Sequence, residues 1–166
     1  HHTFIKGTRP EPSGKDIAMG PISAVSSFFM RCFDVQGRSR RSEYLWMTII
    51  SVLFSVLVVY ALILTEGGFH EIDEDNISGG GMMLLQLVTL ISLITIIPWT
   101  TLSIRRFHDM NHTGWLVALF MGLWVIPPIG ALGSMIQFFW MALGSGTAGH
   151  NPYGLDPRFS RSADFI

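Results

Sequence analysis

Three uninterrupted apolar runs dominate the chain. Residues 44–64, 82–104 and 115–143 hold 21, 23 and 29 residues, and none carries a charged side chain. In a helix, about 20 residues cover roughly 30 Å, the thickness of a bilayer's hydrocarbon core. A buried helix of a soluble domain rarely needs so long a stretch. The pattern predicts an all-α integral membrane protein with three transmembrane helices. The third run contains Pro127-Pro128, with 12 residues before the pair and 15 after it. Neither piece alone reaches about 30 Å. The run reads as one long span kinked at the prolines, because proline removes a helical hydrogen bond and crowds the preceding turn. The alternative is a re-entrant hairpin, which must cover its irregular backbone with protein. Pro98 predicts a milder kink in the second span.

Outside these runs the character changes. Residues 1–20 are polar and rich in Gly and Pro, and read as a flexible tail. Over 21–36, Ile22, Val25, Phe29 and Phe33 recur at helical spacing, with Phe28 and Cys32 beside them and Ser23, Ser27, Arg31 and Asp34 opposite. This predicts a short N-terminal amphipathic helix lying in the membrane interface, or else packed on the spans. The helical membrane domain therefore covers 21–143, and 144–166 form a Gly/Pro-rich C-terminal tail.

Charge sharpens the picture. Charged residues make up 14% of the chain, against about 25% in ordinary soluble domains, which argues against a soluble enzyme. The net charge of −1 supplies no basic field for nucleic acid, and the single cysteine, Cys32, excludes an intramolecular disulfide. Of the eleven Lys and Arg, seven lie in residues 1–43, none in 65–81, two in 105–114 and two after 143. By the positive-inside rule the N-terminus and the 105–114 loop are expected in the cytoplasm, with the acidic 65–81 loop on the far side.

The candidate chemistry gathers at the ends of the spans on one face. Arg38, Arg40, Arg41 and Glu43 precede the first span; Arg105, Arg106, His108 and Asp109 follow the second, with Trp115 opening the third. Glu43 or Asp109 is expected to pair with at least one of the five arginines, since opposed charges near low dielectric need partners. The favoured reading is a structural polar cluster that pins helix ends and meets anionic lipid headgroups or a protein partner; the other is a binding or proton-handling site around His108 and Asp109. Gly37 supplies a turn and Ser39 a candidate N-cap for the first span. His108, Asp109 and His112 form H-D-x-x-H, but Asn111, Thr113 and Gly114 read as a turn and no third strong ligand is near, so no metal is expected. No other cofactor is expected. No nucleophile elbow, phosphate-binding glycine loop or paired-cysteine site occurs. Tyr44, Trp46, Trp115, Trp140 and Tyr153 stand near span ends, as interfacial anchors do. Gln86 and Gln137 are isolated polar residues suited to hydrogen bonds between helices.

Taken in order, several motifs carry a resemblance: F-x-x-x-G-R-S-R-R-S-E-Y-x-W at 33–46, a proline in the second span, R-R-F-H-D-x-x-x-x-G-W at 105–115, I-P-P-I-G at 126–130, and G-x-x-G-x-N-P-Y-G-x-D-P within 144–157. Over about residues 21–157 the chain resembles the small bacterial inner-membrane family typified by YhaH and YhaI, a domain of unknown function. The chain departs from the family's usual Leu at Phe107 and usual Pro at Leu155, and neither change alters a charge. The resemblance implies an inner-membrane location and a compact helical bundle, and no established activity. Small size, absent catalytic chemistry and a long polar tail favour a non-enzymatic accessory or assembly subunit on a larger membrane protein complex. The alternative is a small homo-oligomeric transporter or channel component, suggested by the proline-broken third run and the charged cluster at one mouth.

Overall fold

The structure, a computed structural model, describes residues 19–67 and 77–157. Nearly all of the polar tail expected over 1–20, the middle of the acidic loop and the last nine residues lie outside the described residues. Five helices follow in order: α1 Pro21–Met30, α2 Arg41–Thr65, α3 Gly79–Asp109, α4 Trp115–Leu123 and α5 Pro127–Leu143. α2 and α3 are long and apolar enough to cross a membrane. At about 1.5 Å per residue they extend roughly 37 and 46 Å. α1 packs on both, α4 on α5 and α3, and α5 also touches α2.

The third expected span does not form. Residues 115–143 fold back on themselves as a short helix, a turn and a second helix. Phe107 stacks on Phe120 of α4 at 6.2 Å and meets Trp140 of α5 edge-on at 5.7 Å. His112, just before α4, lies 5.2 Å from Trp140, near the end of α5. One long span would hold those two ends roughly 40 Å apart. The prolines explain the difference. Pro127-Pro128 occupy the first positions of α5, where a missing amide costs nothing, and Ile126 before them is extended. Gly130 then slides under the turn: a Cβ there would stand 2.8 Å from Trp124 Cα. Pro98 sits inside α3, which runs through it as one helix.

The core lies at one end of the molecule. Ala24 and Phe28 of α1, Tyr44 and Met47 of α2, Leu102 and Phe107 of α3, Val117 and Phe120 of α4, and Met141 of α5 are buried together. Trp99 ties three of these helices, meeting Phe28 at 5.6 Å and Tyr44 at 6.1 Å. α1 thus turns Ala24 and Phe28 inward and leaves Ile22, Phe29 and Met30 outward. Its expected apolar face, Ile22–Val25–Phe29–Phe33, is mostly the outer one; Phe33 lies beyond the helix end.

Ser39 is not the N-cap of α2. That position belongs to Arg40, and no side chain caps it. Ser39 is buried instead, and its amide donates to the Arg105 carbonyl at 3.1 Å, joining the loop before α2 to the end of α3. α3 does carry a side-chain cap: Ser78 Oγ accepts from the Gly81 amide at 3.1 Å.

Candidate functional site

The loop from α1 to α2 turns at Gly37, whose φ of +80° suits glycine, and then lays Arg38 against the last turn of α3. There Arg106 and Asp109 lie three apart and so share a helix face. Asp109 receives one guanidinium on each oxygen. Arg38 Nε donates to Oδ1 at 3.0 Å, and Arg106 Nη1 donates to Oδ2 at 2.5 Å. All three side chains are buried or nearly so. Forked guanidinium donors suit this geometry in a way a lysine ammonium does not.

The remaining arginine donors reach backbone carbonyls. Arg106 Nε donates to Met141 O at 3.0 Å and Nη2 to Gly144 O at 2.5 Å, fixing the end of α5. Arg38 Nη1 donates to Gly149 O at 2.6 Å, and Nη2 to Thr147 O. Arg40 Nε and Nη2 donate to Pro157 O. Residues 144–157, read from the sequence as part of a Gly/Pro-rich tail, are thus laid across the cluster as a strap.

The strap is held from its own side as well. Thr147 N donates to the Asp109 carbonyl at 2.8 Å, and Asn151 Nδ2 to the His108 carbonyl at 2.9 Å. The Tyr153 ring stacks on the His108 imidazole at 4.0 Å. The buried Asp156 accepts from the Gly149 amide at 3.2 Å. Gly146 crosses so near Asp109 that a Cβ would stand 2.1 Å from Oδ2.

A second group adjoins the first. Glu43 Oε1 accepts from Ser27 Oγ at 2.8 Å and faces Arg105 Nη2 at 3.7 Å, too long for a hydrogen bond. The Arg105 side chain is 0% exposed, and none of its side-chain nitrogens has a hydrogen-bond partner among the described residues. In the loop, Arg31 Nη2 donates to Asp34 Oδ2 at 2.7 Å. Desolvation pushes the Asp34 carboxyl up, but the bonds and charge of Arg31 hold it below its ordinary value.

Of the residues singled out in the sequence, Arg38, Arg40, Glu43, Arg105, Arg106, His108 and Asp109 come together. Arg41 is exposed at the rim. Trp115 is 80% exposed and lines a cavity with His108. The expected pairing of a carboxylate with the arginines is present at Asp109. His108 stacks on Tyr153 and His112 meets Trp140 edge-on, and among the described residues no group of three metal-ligating side chains is assembled. Three of the aromatics expected as interfacial anchors also pack on other rings: Tyr44 on Trp99, Trp140 on Phe107 and Tyr153 on His108. Sequence reasoning missed Ser27 and the strap residues Thr147, Asn151 and Asp156. Asn151 and Asp156 had a signal in the turn-forming residues of N-P-Y-G-x-D-P at 151–157, and Ser27 in its place on the polar side of the first helix.

Comparison with known proteins decides the relationship. Residues 32–155 match the family described as a protein of unknown function, DUF805. The chain belongs to that family. It is 34% identical over 124 residues to the inner membrane protein YhaI of Escherichia coli strain K12, covering 74% of this chain and 85% of YhaI. It is 30% identical over 123 residues to the inner membrane protein YhaH of the same strain, covering 74% of this chain and 86% of YhaH. No solved structure matches. The DUF805 match contains the whole Arg38–Arg106–Asp109 cluster and most of the strap, and begins after α1.

Proposed function

We propose that this DUF805 chain is a non-enzymatic accessory or assembly subunit of the bacterial inner membrane, with its two spans packed against a larger membrane protein complex. Gln86 carries the reading. It lies seven residues into α3, about 10 Å along the helix axis. Its side chain is exposed and makes no hydrogen bond among the described residues. Neighbouring hydroxyls are already satisfied: Thr89 and Ser92 donate to the carbonyls one turn back, at 2.8 Å each. A carboxamide with nothing to bond is costly in hydrocarbon, and a polar group on a partner helix removes that cost.

The cluster's chemistry favours scaffold over catalyst. Both oxygens of Asp109 are taken by guanidinium groups, and Arg38 and Arg106 spend their remaining forks on carbonyls. Those bonds join the loop before α2, the end of α3 and the end of α5, as a structural crosslink does. The Lys and Arg distribution supports a multi-pass arrangement with the N-terminus and the cluster in the cytoplasm, and residues 65–81 opposite.

The test is a photo-crosslinking residue placed at Gln86 in native membranes. Capture of a different polypeptide is expected. Purification under native conditions as a free monomer, with only lipid crosslinked, would end the proposal; capture of a second copy of the chain would favour the homo-oligomeric reading instead.

A further inference from the structure

The α4–α5 hairpin starts and finishes at the cluster. On the entering side, Gly114 lies so near the end of α3 that a Cβ would stand 3.2 Å from His108 Nε2. On the leaving side, Arg106 holds the carbonyls of Met141 and Gly144 at 3.0 and 2.5 Å. A Cβ on Gly144 would stand 2.4 Å from Met110 Sδ. Between these anchors, residues 115–143 carry no charged side chain. Apart from the tryptophan indoles, their polar side chains are Ser134 and Gln137. Both turn to α5 itself: Ser134 Oγ donates to the Gly130 carbonyl at 2.7 Å, and Gln137 Nε2 faces Met141 Sδ at 4.0 Å.

The outward surface is apolar on both arms. Leu119 and Met121 of α4 and Leu132 and Ile136 of α5 are half or more exposed. At the tip, Val125 is 82% exposed between the exposed Trp124 and Ile126. Turns in water draw on Gly, Asn, Asp and Ser; this one reads Trp-Val-Ile-Pro-Pro. A contiguous apolar surface of this kind meets something apolar.

The backbone of the tip suits hydrocarbon, where unpaired polar groups are what bar a loop. The amides of Trp124, Val125 and Ile126 donate to the carbonyls of Met121, Gly122 and Leu123 at 3.2, 3.3 and 3.2 Å. Pro127 and Pro128 have no amide to satisfy. The Ile126 carbonyl accepts from the Gly130 amide at 2.8 Å. No amide from 124 to 128 is left open, and Gly130, packed beneath Trp124, brings α5 over the inner side of the turn.

Length sets the reach. From Trp115 to Ile126 there are 12 residues, about 18 Å of helix against a hydrocarbon core of about 30 Å. Anchored at the cluster end of α2 and α3, the tip can reach the region of the midplane but not the far face.

We propose that the α4–α5 hairpin is a re-entrant element, inserted among the acyl chains of the leaflet on the cluster side, with lipid covering its exposed face. The strap then lies on the same side of the membrane as the loop before α2. Four helices displace lipid in that leaflet and two in the other. The proposal rests on α2 and α3 crossing the bilayer and needs no protein partner.

The full chain carrying Cys32→Ser, reconstituted alone in phosphatidylglycerol–phosphatidylcholine vesicles, tests this with a nitroxide on single cysteines. Val125→Cys reports the tip, Leu57→Cys the middle of α2, and Leu155→Cys the strap. Collisions with oxygen, which concentrates in hydrocarbon, are compared with collisions with a charged nickel chelate. At Val125, nickel collisions should be at least about tenfold rarer than at Leu155, because a charged complex is excluded from hydrocarbon. Oxygen collisions there should match those at Leu57. Met121→Cys, on the exposed side of α4, should behave in the same way and serves if Val125→Cys fails to fold. In intact spheroplasts, an impermeant maleimide should label Gly79→Cys and spare both Gln36→Cys and Leu155→Cys. Free access of nickel to Val125 would place the hairpin in water and overturn the proposal. Shielding from oxygen as well as nickel would mean a protein cover and overturn it equally. Labelling of Leu155→Cys together with Gly79→Cys, and not Gln36→Cys, would show a full crossing. Nickel access at Leu57 would overturn the two spans and the proposal with them. Since no other polypeptide is present, these failures are distinct from failure of the crosslinking test.

Discussion

At one end of α2 and α3, the side chains from Glu43 to Met47 and from Pro98 to Asp109 are largely buried and bonded to the rest of the chain. Along the remainder, residues 48–64 and 82–97 contain no buried position. The first region is built like the interior of a soluble protein, with Asp109 shared by two guanidinium groups, aromatic contacts and a strap fastened over it. The second is two helices with apolar sides turned outward. Lipid is as apolar as leucine, so nothing drives those sides together within the chain. The contrast separates two tasks: the cluster end specifies the fold, and the long apolar faces are left for bilayer and partner.

Substitutions of graded size test that division. Asp109→Ala leaves Arg38 and Arg106 without their shared carboxylate in a buried site, and should cost on the order of 3–5 kcal/mol. The measurable result is a sharp fall in folded protein in the membrane. Wild-type abundance with an unchanged Tm in detergent would move the cluster from scaffold to functional site. Gly146→Ala forces a methyl into the Asp109 carboxylate and should cost about 1–3 kcal/mol by overpacking, read as a lower Tm. Leu57→Ala, at a position 62% exposed on α2, should change stability by no more than about 0.5 kcal/mol. A large loss there would mean that the apolar half is held by contacts within the chain.

The smallest effect belongs to the far end, where Glu66 joins α2 to the start of α3. Glu66 Oε1 accepts from Ser78 Oγ at 2.6 Å and Oε2 from Ser78 N at 3.0 Å. The hydroxyl first, then the amide, hold the carboxyl below its ordinary value. Stability from this contact is present above that ordinary value and is lost as pH falls through the lowered one. Glu66→Gln should flatten that acid dependence slightly, measured as Tm against pH, and leave the cluster end unchanged.

Much of the apolar half was legible in the sequence, because run length alone predicts a spanning helix. The run at 115–143 was not, because a proline pair reads equally as a kink or as a helix start. The choice was made elsewhere, by Phe107 drawing in both Phe120 and Trp140, and by Gly130 fitting beneath Trp124. At the cluster, the charges were legible and their wiring was not. Arg38, Arg40 and Arg106 bind the carbonyls of Thr147, Gly149, Pro157, Met141 and Gly144. Every residue has a carbonyl, so such acceptors leave no trace in the residue pattern. Ser39 misled for a related reason: its type suits a cap, but its amide was taken by Arg105 O.

Amide hydrogen exchange of the full chain in lipid nanodiscs, wild type against Asp109→Ala, tests most directly whether the buried cluster fastens the strap and sets the fold. In the wild type, residues 144–157 should exchange slowly, led by the Thr147 amide bonded to Asp109 O. In the variant that protection should be lost, while residues 48–64 remain as slow as before in the bilayer. Fast exchange of 144–157 already in the wild type, or protection unchanged by Asp109→Ala, would contradict the account.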